Sequence, residues 1–534
     1  MKFETRRWAA IGLVVIVSGC ASFPTQRGVK ETGELVASRD GLAPSRETAQ
    51  DCNDARSGTA ALVEQPLMPE SAVQIALLCN PGLAAEYARL GIANAEAFEA
   101  GRLANPSISL GALDSNRSGD SAKLSLGIAQ NFTNLILRGP RTRLAEGEFL
   151  RAQQLLAGSI LTLAVDVKSA YYGLVGAQQI AAARSAIAEA AGASAELAAR
   201  FRVAGNFSAR EFALAQAEAG EADVARRLAD DAVISARIEL QRLLGLADAD
   251  ILVVPEAIAG PVAEEEALAS LREQADAQRL DLAATRKLVE LLADSAATTK
   301  RLRWLGDFEV GVDYEREADH SRLIGPSLSI QLPLFNQGQG AVARAQSAQA
   351  WSEAERRRLT LEVRTSVDLA SRHVHSARAR VDDYRVRLLP QRAAVVARTQ
   401  EEVNFMLRGV FELIEARIAE YEAARGYFEA LRDYWIARSE LERAVGAQLP
   451  AQPSVLINAA DVLKSAPPDV DHDAMDHGSM NHGSMDHGSM NHGTATPTPA
   501  KAAQPATPKP SAPAPENHSH DHHGHDNTNH GEQP

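Results

Sequence analysis

Four stretches of this sequence alternate apolar and polar residues one by one, and several longer ones repeat apolar residues every three or four. The alternating stretches come in two pairs. In the first pair, Ile108, Leu110 and Ala112 alternate with Ser107, Ser109 and Gly111, and Leu124, Leu126, Ile128 and Phe132 with Lys123, Ser125, Gly127 and Asn131. In the second, Phe308, Val310, Val312 and Tyr314 alternate with Asp307, Glu309, Asp313 and Glu315, and Leu328, Ile330, Leu332 and Leu334 with Ser327, Ser329, Gln331 and Pro333. A period of two predicts strands with one greasy and one wet face. The other pattern is helical. Leu156, Ile160, Leu163, Val167, Ala170, Leu174, Ala177 and Ala181 are spaced alternately by four and three, as are Val363, Val367, Ala370, Val374, Ala377, Val381, Tyr384 and Leu388. Such spacing is a coiled-coil seam. It predicts helices over 144–204 and 341–407, the first about 90 Å long at 1.5 Å per residue, with Pro390 kinking the second. Turns at Gly205-Asn206 and Arg408-Gly409 lead into further helices ending near Gly245 and Gly446. Shorter helices are expected over 82–103 and 263–302.

The order of these elements occurs twice. Ala236-Arg237-Ile238-Glu239-Leu240 matches Ala437-Arg438-Ser439-Glu440-Leu441 at an offset of 201 residues, and two strand segments match at offsets of 200 and 202. The chain is therefore two copies of one unit, each with a hairpin between helices. The strands read as a half-buried sheet over a soluble core or as part of a membrane barrel. Two hairpins give only four strands, too few to close a membrane barrel, so a barrel requires several copies of the chain.

Aromatic residues make up only 5% of the 534 residues, which suits long helices with small-residue seams better than an aromatic-rich core. A formal charge of −14 argues against nucleic acid as a partner. Three cysteines are too few for a disulfide scaffold or zinc fingers. Cys52 and Cys79 either pair or stay as thiols. No catalytic constellation stands out, so the chain does not read as an enzyme, and the body calls for no cofactor.

Both ends carry separate chemistry. Lys2, Arg6 and Arg7 precede a short apolar run that ends in Val17-Ser18-Gly19-Cys20. That is the pattern of a signal peptide with a lipobox, which makes Cys20 a lipidation site and the mature chain acyl-anchored. Ala21, not Asp, follows, which favours the outer membrane. No later run of 18 or more apolar residues predicts a transmembrane helix. At the other end, 465–534 is rich in Pro, Ala, Thr, Asp and His, holds half of the net charge at −7, and has the composition of a disordered tail. Met475, Met480, Met485 and Met490 recur every five residues, each followed by His477, His482, His487 or His492. A second cluster holds His518, His520, His522, His523 and His525, with His530 beyond it. Thioethers select Cu(I), and imidazole accepts Cu(II), Zn(II) or Ni(II), so the tail reads as a copper-handling segment.

These features together resemble the TolC-like outer-membrane efflux proteins, in particular an acylated, heavy-metal type. The resemblance spans about 66–448. It is carried by Glu70-Ser71-Ala72-Val73-Gln74-Ile75-Ala76-Leu77 leading into Asn80-Pro81, by Asn105-Pro106, by Leu332-Pro333-Leu334-Phe335-Asn336 before Gly340, and by the two helix turns. It implies a mainly α fold with a small β part: two tandem repeats of long coiled-coil helices, each with a β-hairpin. The implied assembly is a homotrimer with a 12-stranded β-barrel continued by an α-helical barrel. It implies an outer-membrane channel in a tripartite system with a periplasmic adaptor and an inner-membrane pump. Given the tail, the expected cargo is copper or silver. The alternatives are organic cargo with a metal-buffering tail, or a periplasmic metal-sequestering lipoprotein. Family gates use acidic-x-x-acidic-Ala after the second turn, which Glu412-Leu413-Ile414-Glu415-Ala416 matches, whereas Ala213-Leu214-Ala215-Gln216-Ala217 in the first repeat does not. The expected tip residues are Gly205, Asn206, Arg408 and Gly409. The domain boundaries follow as 1–19 signal peptide, 20–65 lipidated extended segment, 66–250 and 251–450 repeats, and 464–534 metal-binding tail.

Overall fold

Helices dominate the computed structural model, which describes residues 22–41, 67–114, 122–246, 254–451 and 455–464. The first half contains α1 (Val29–Asp40), α2 (Pro69–Cys79), α3 (Pro81–Ala100), β1 (Ser107–Leu113), β2 (Lys123–Asn131), α4 (Phe132–Val203) and α5 (Ala209–Leu244). The second contains β3 (Ala257–Ala259), α6 (Leu268–Gln278), α7 (Leu280–Leu302), β4 (Phe308–Arg316), β5 (Arg322–Ile330) and α8 (Gln339–Asp382). A π-helical turn (Asp383–Leu388), α9 (Leu389–Asn404), α10 (Val410–Val445), β6 (Leu456–Asn458) and α11 (Ala459–Leu463) complete it.

The seam residues do form the core. Val363, Val367, Val374, Ala377 and Val381 of α8 are buried in one cluster with Val167 and Leu174 of α4 and Phe428, Leu431 and Tyr434 of α10. The two repeats thus share a core. One 18-residue window of α4 is apolar enough to cross a bilayer by composition alone, but 56% of it is buried inside the structure, as in a core helix.

Local chemistry explains the helix ends. Asn80 accepts from Leu83 N (3.1 Å), capping α3, while its Nδ2 donates to Leu243 O (2.8 Å) at the end of α5. Pro81 occupies the first helical position, where no donor is missed. Ser208 and Glu211 form a capping box at the start of α5.

Several expectations need correction. α4 begins at Phe132, not 144, and runs through Pro140 for 72 residues, about 108 Å by helix rise. Its start is fastened by tertiary contacts: Thr133 Oγ1 accepts from Phe308 N (2.7 Å) and donates to Gly306 O (3.1 Å). The helix expected over 263–302 breaks at Arg279, whose guanidinium donates to the Arg443 and Ala444 carbonyls at the end of α10. Pro390 is preceded by the π-helical turn, which accommodates the missing donor. β5 runs from Arg322 to Ile330, so Leu332 and Leu334 lie beyond it, where Pro333 cannot continue a ladder.

The segment expected to be extended over 20–65 contains α1, closely docked. Phe23 packs edge-on against Phe98, and Arg27 pairs with Glu146 (2.5 Å). Gly28, at φ 86°, lies so close to Phe149 and Gln153 that a Cβ there has no room. Arg39 donates to Gln278 O (2.8 Å), and its own carbonyl accepts from Gln448 N (2.9 Å). A second small sheet, β3 with β6, was also missed; it ties the inter-repeat linker to the chain after α10.

Three layers share one order. The main sheet runs β1-β2-β4-β5, all antiparallel. The neighbouring helices pack as α3-α4-α7-α8, and farther along as α5-α4-α10 with α8 and α9. Among the described residues, no strand pairs with the outer edges of β1 and β5.

Candidate functional site

The sheet separates two surfaces by register. Ile108, Ile128, Val312 and Pro326 form one row, and Leu110, Leu126, Tyr314 and Ile324 the next. This face is bare: Leu110 is 80% exposed and Ile324 76%. A soluble half-buried sheet would cover it. The other face carries Ser109, Gly127, Asp313 and Gly325 in one row, and Ser125 opposite Glu315 in another. Lys123 pairs there with Glu315 (2.9 Å) and Glu317 (2.8 Å).

At the far end of α4 and α10 the two helix turns meet. Phe207 stacks on Phe411 with centroids 5.1 Å apart, and Phe201 meets Phe411 at 5.8 Å. This brings Gly205, Asn206, Arg408 and Gly409 into one region. Gly205 takes the left-handed conformation at φ 79°, as a helix-ending glycine does. Gly409 does not: it is extended at φ −82°, and Met406 takes the left-handed position at φ 57°. Met406 is also 93% exposed, between exposed Phe405 and Leu407.

Of the two acidic candidates on α10, Glu412 is claimed locally. Arg408 donates to Glu412 (2.6 Å) and to Glu402 (2.5 Å), and these carboxylates hold its guanidinium above the usual arginine range. Glu415 is exposed and has no ion-pair partner among the described residues. Ala213 and Gln216 stand at the corresponding places on α5, so the first repeat adds no acidic pair.

Cys20 and the tail residues Met475 to His525 lie outside the described residues. Among the described residues, no group of three or more His, Cys, Asp or Glu side chains is arranged to hold a metal ion. Cys79 is disulfide-bonded, to a partner outside the described residues.

Sequence reasoning missed a buried charge cluster where α1, α4 and α10 meet. Lys168 donates to Asp40 and Glu442 (3.2 Å each), with all three side chains less than a tenth exposed. Arg438 lies 3.4 Å from Glu442 and 3.7 Å from Glu265. Tyr434 donates to Glu265 (2.6 Å) and accepts from Val262 N (3.1 Å). Burial pushes the Asp40 and Glu442 carboxyls above the ordinary carboxylate range, and Lys168 pulls each partly back. Burial lowers the Lys168 ammonium, but Glu442 and Asp40 outweigh it and leave it raised. The only sequence signal was a lysine beside the seam residue Val167.

Residues 72–246 match the sequence profile described as outer membrane efflux protein. No curated protein matches the chain significantly. Among solved structures, the CmeC outer membrane channel of Campylobacter jejuni has a TM-score of 0.59 at 14% identity, covering 71% of this chain and 85% of that one. The outer membrane protein VceC of Vibrio cholerae gives 0.58 at 16% identity, covering 71% and 96%. CusC, whose structures concern folding and transmembrane channel formation, gives 0.57 at 12% identity, covering 71% and 92%. The chain thus has the fold of these outer membrane channels, and residues 72–246 carry the sequence profile of the outer membrane efflux proteins.

Proposed function

We propose that three copies of this chain form an outer-membrane channel of a tripartite efflux system, anchored by an acylated Cys20, which exports copper or silver ions. The observation that carries the channel is the shared order of the three layers. The sheet and both helical layers end in an element of the first repeat on one side and of the second repeat on the other. Unpaired strand edges invite pairing with another chain, and closing all three layers at once calls for rotation about a common axis. Three copies supply 12 strands, enough for a membrane barrel. The bare apolar face then meets lipid and the polar face lines the lumen. A coiled-coil stalk of a metal-sequestering lipoprotein has no use for such a sheet. A heat-labile trimer in outer membranes is the expected result; a soluble monomer after Cys20→Ala would overturn the channel. Loss of lipid labelling in the same variant tests the anchor separately.

A periplasmic adaptor docks, in this reading, at the exposed Phe405-Met406-Leu407 knob, with an inner-membrane pump beyond it. Replicated threefold, Glu415 draws cations to the narrow end. Glu415→Gln is expected to reduce cation selectivity in planar bilayers clearly more than Glu412→Gln, because Arg408 partly offsets the charge of Glu412. Equal effects would remove the gate assignment.

The metal assignment rests on the tail. Replacing Met475, Met480, Met485 and Met490 with Leu is expected to weaken Cu(I) binding more than Zn(II) binding, since imidazole still serves zinc. Deleting 465–534 is expected to leave the trimer intact and lower copper tolerance at limiting expression. Altered tolerance to organic toxins with copper and silver unaffected would favour organic cargo.

A further inference from the structure

The chain as a whole is acidic, yet the sign reverses where the helices meet the main sheet. The stretches 99–106, 131–145, 298–307 and 331–345 adjoin the start of β1, the end of β2, the start of β4 and the end of β5. Together they hold eight Lys and Arg against only Glu99 and Asp307. Arg138, Arg141 and Arg143 lie in the first turns of α4, and Lys300, Arg301 and Arg303 at the end of α7. Arg102 follows α3, and Arg344 lies in the first turns of α8. All eight are exposed. Among the described residues none makes an ion pair. Elsewhere many exposed arginines pair along the helix, as Arg227 does with Asp223, and Arg358 with Glu355 and Glu362. The polar contacts of Arg138 and Arg141 go to neutral acceptors, Gly101 O (2.9 Å) and Asn134 Oδ1 (2.7 Å).

These cations stand beside exposed apolar side chains. Arg138 is three residues on from Leu135, and Arg143 seven on from Ile136, so each pair shares a face of α4. The Arg303 guanidinium lies 4.7 Å from the ring centroid of Trp304, itself half exposed. Beyond β5, Leu332, Leu334 and a 97% exposed Phe335 continue the apolar surface.

We propose that this basic belt binds the phosphate headgroups of an anionic phospholipid leaflet and sets the depth at which the sheet sits in the bilayer. The inference rests on the membrane reading above. An apolar face, then an indole and other large apolar groups, then unpaired cations follows the order of acyl chains, interface and phosphate in a leaflet. The arginine and lysine stems reach along the apolar surface while their heads meet phosphate.

The test uses the full chain in phosphatidylcholine bilayers, with spin-labelled phosphatidylglycerol and spin-labelled phosphatidylcholine as probes. The expected result is a preference for phosphatidylglycerol of about fivefold at low salt, shrinking at high salt. Replacing Arg138, Arg141, Arg143, Lys300, Arg301 and Arg303 with Gln abolishes the preference, and replacing the five arginines with Lys retains it. Equal association of the two lipids with the unaltered protein would overturn the proposal. So would a Gln variant with unchanged lipid preference and altered ion selectivity, since the cations would then face the lumen. If the Gln variant does not insert, the salt dependence and the Lys variant decide. Failure of the unaltered protein to enter bilayers would instead sink the membrane reading.

Discussion

Lys168→Met is expected to cost about 3–5 kcal/mol at pH 7.5, because it strands Asp40 as a buried unpaired carboxylate and leaves Glu442 with Arg438 as its one cation. Much of that loss returns as the pH falls toward 5. Both carboxyls already hold their protons above the ordinary range through burial, and Lys168 is what pulls them back. Without it they rise further. A group whose folded pKa exceeds its unfolded one favours the fold most when protonated, and loses that advantage as pH rises through the folded value. The variant is therefore weakest at neutral and alkaline pH. In the unaltered protein the raised ammonium of Lys168 supports the fold at neutral pH, and its contribution fades only as pH climbs through its raised folded value. Hydrogen exchange of the α1 amides reads the effect, with a loss of protection of about a hundredfold at pH 7.5 corresponding to the lower figure. Unchanged protection at that pH would show that α1 is held by its other contacts alone.

Two neighbouring residues on β2 are expected to behave oppositely. Leu126 lies in the bare apolar row, and an arginine there costs about 2–4 kcal/mol of insertion stability near the bilayer midplane. Ser125 lies on the other face, opposite Glu315. Ser125→Arg gains a carboxylate partner and is expected to leave trimer yield unchanged while altering single-channel conductance. Trimer yield in purified outer membranes separates the two. Equal losses would mean that both faces are enclosed by protein.

The strands were legible because their two faces differ in polarity, and alternation records that directly. Leu332 and Leu334 kept the rhythm past the end of β5, since rhythm alone does not register that Pro333 lacks a donor. The long helices announced themselves through the seam, but the start of α4 did not. Gly139-Pro140 looks like a break, and what carries the helix across it is the fastening of Phe132 and Thr133 to β4, about 175 residues away. The charge cluster was illegible for the same reason. Lys168 finds its partners 128 residues before and 274 residues after itself. Both helix turns were legible, but not that Met406 rather than Gly409 takes the left-handed conformation at the second.

The docking of α1 also bears on when this protein can finish folding. Ribosomes deliver the chain from its N-terminus, so α1 is available early, yet part of what fastens it comes from the far end of the sequence. Arg39 is closed over by Gln448, and Lys168 balances Asp40 only in company with Glu442. Contacts of such sequence separation form late. The first of the described helices completes its contacts only with the last long helix, and a chain halted short of residue 442 leaves it without that latch. Completion of the polypeptide is thus written into the fold as a condition for fastening its beginning.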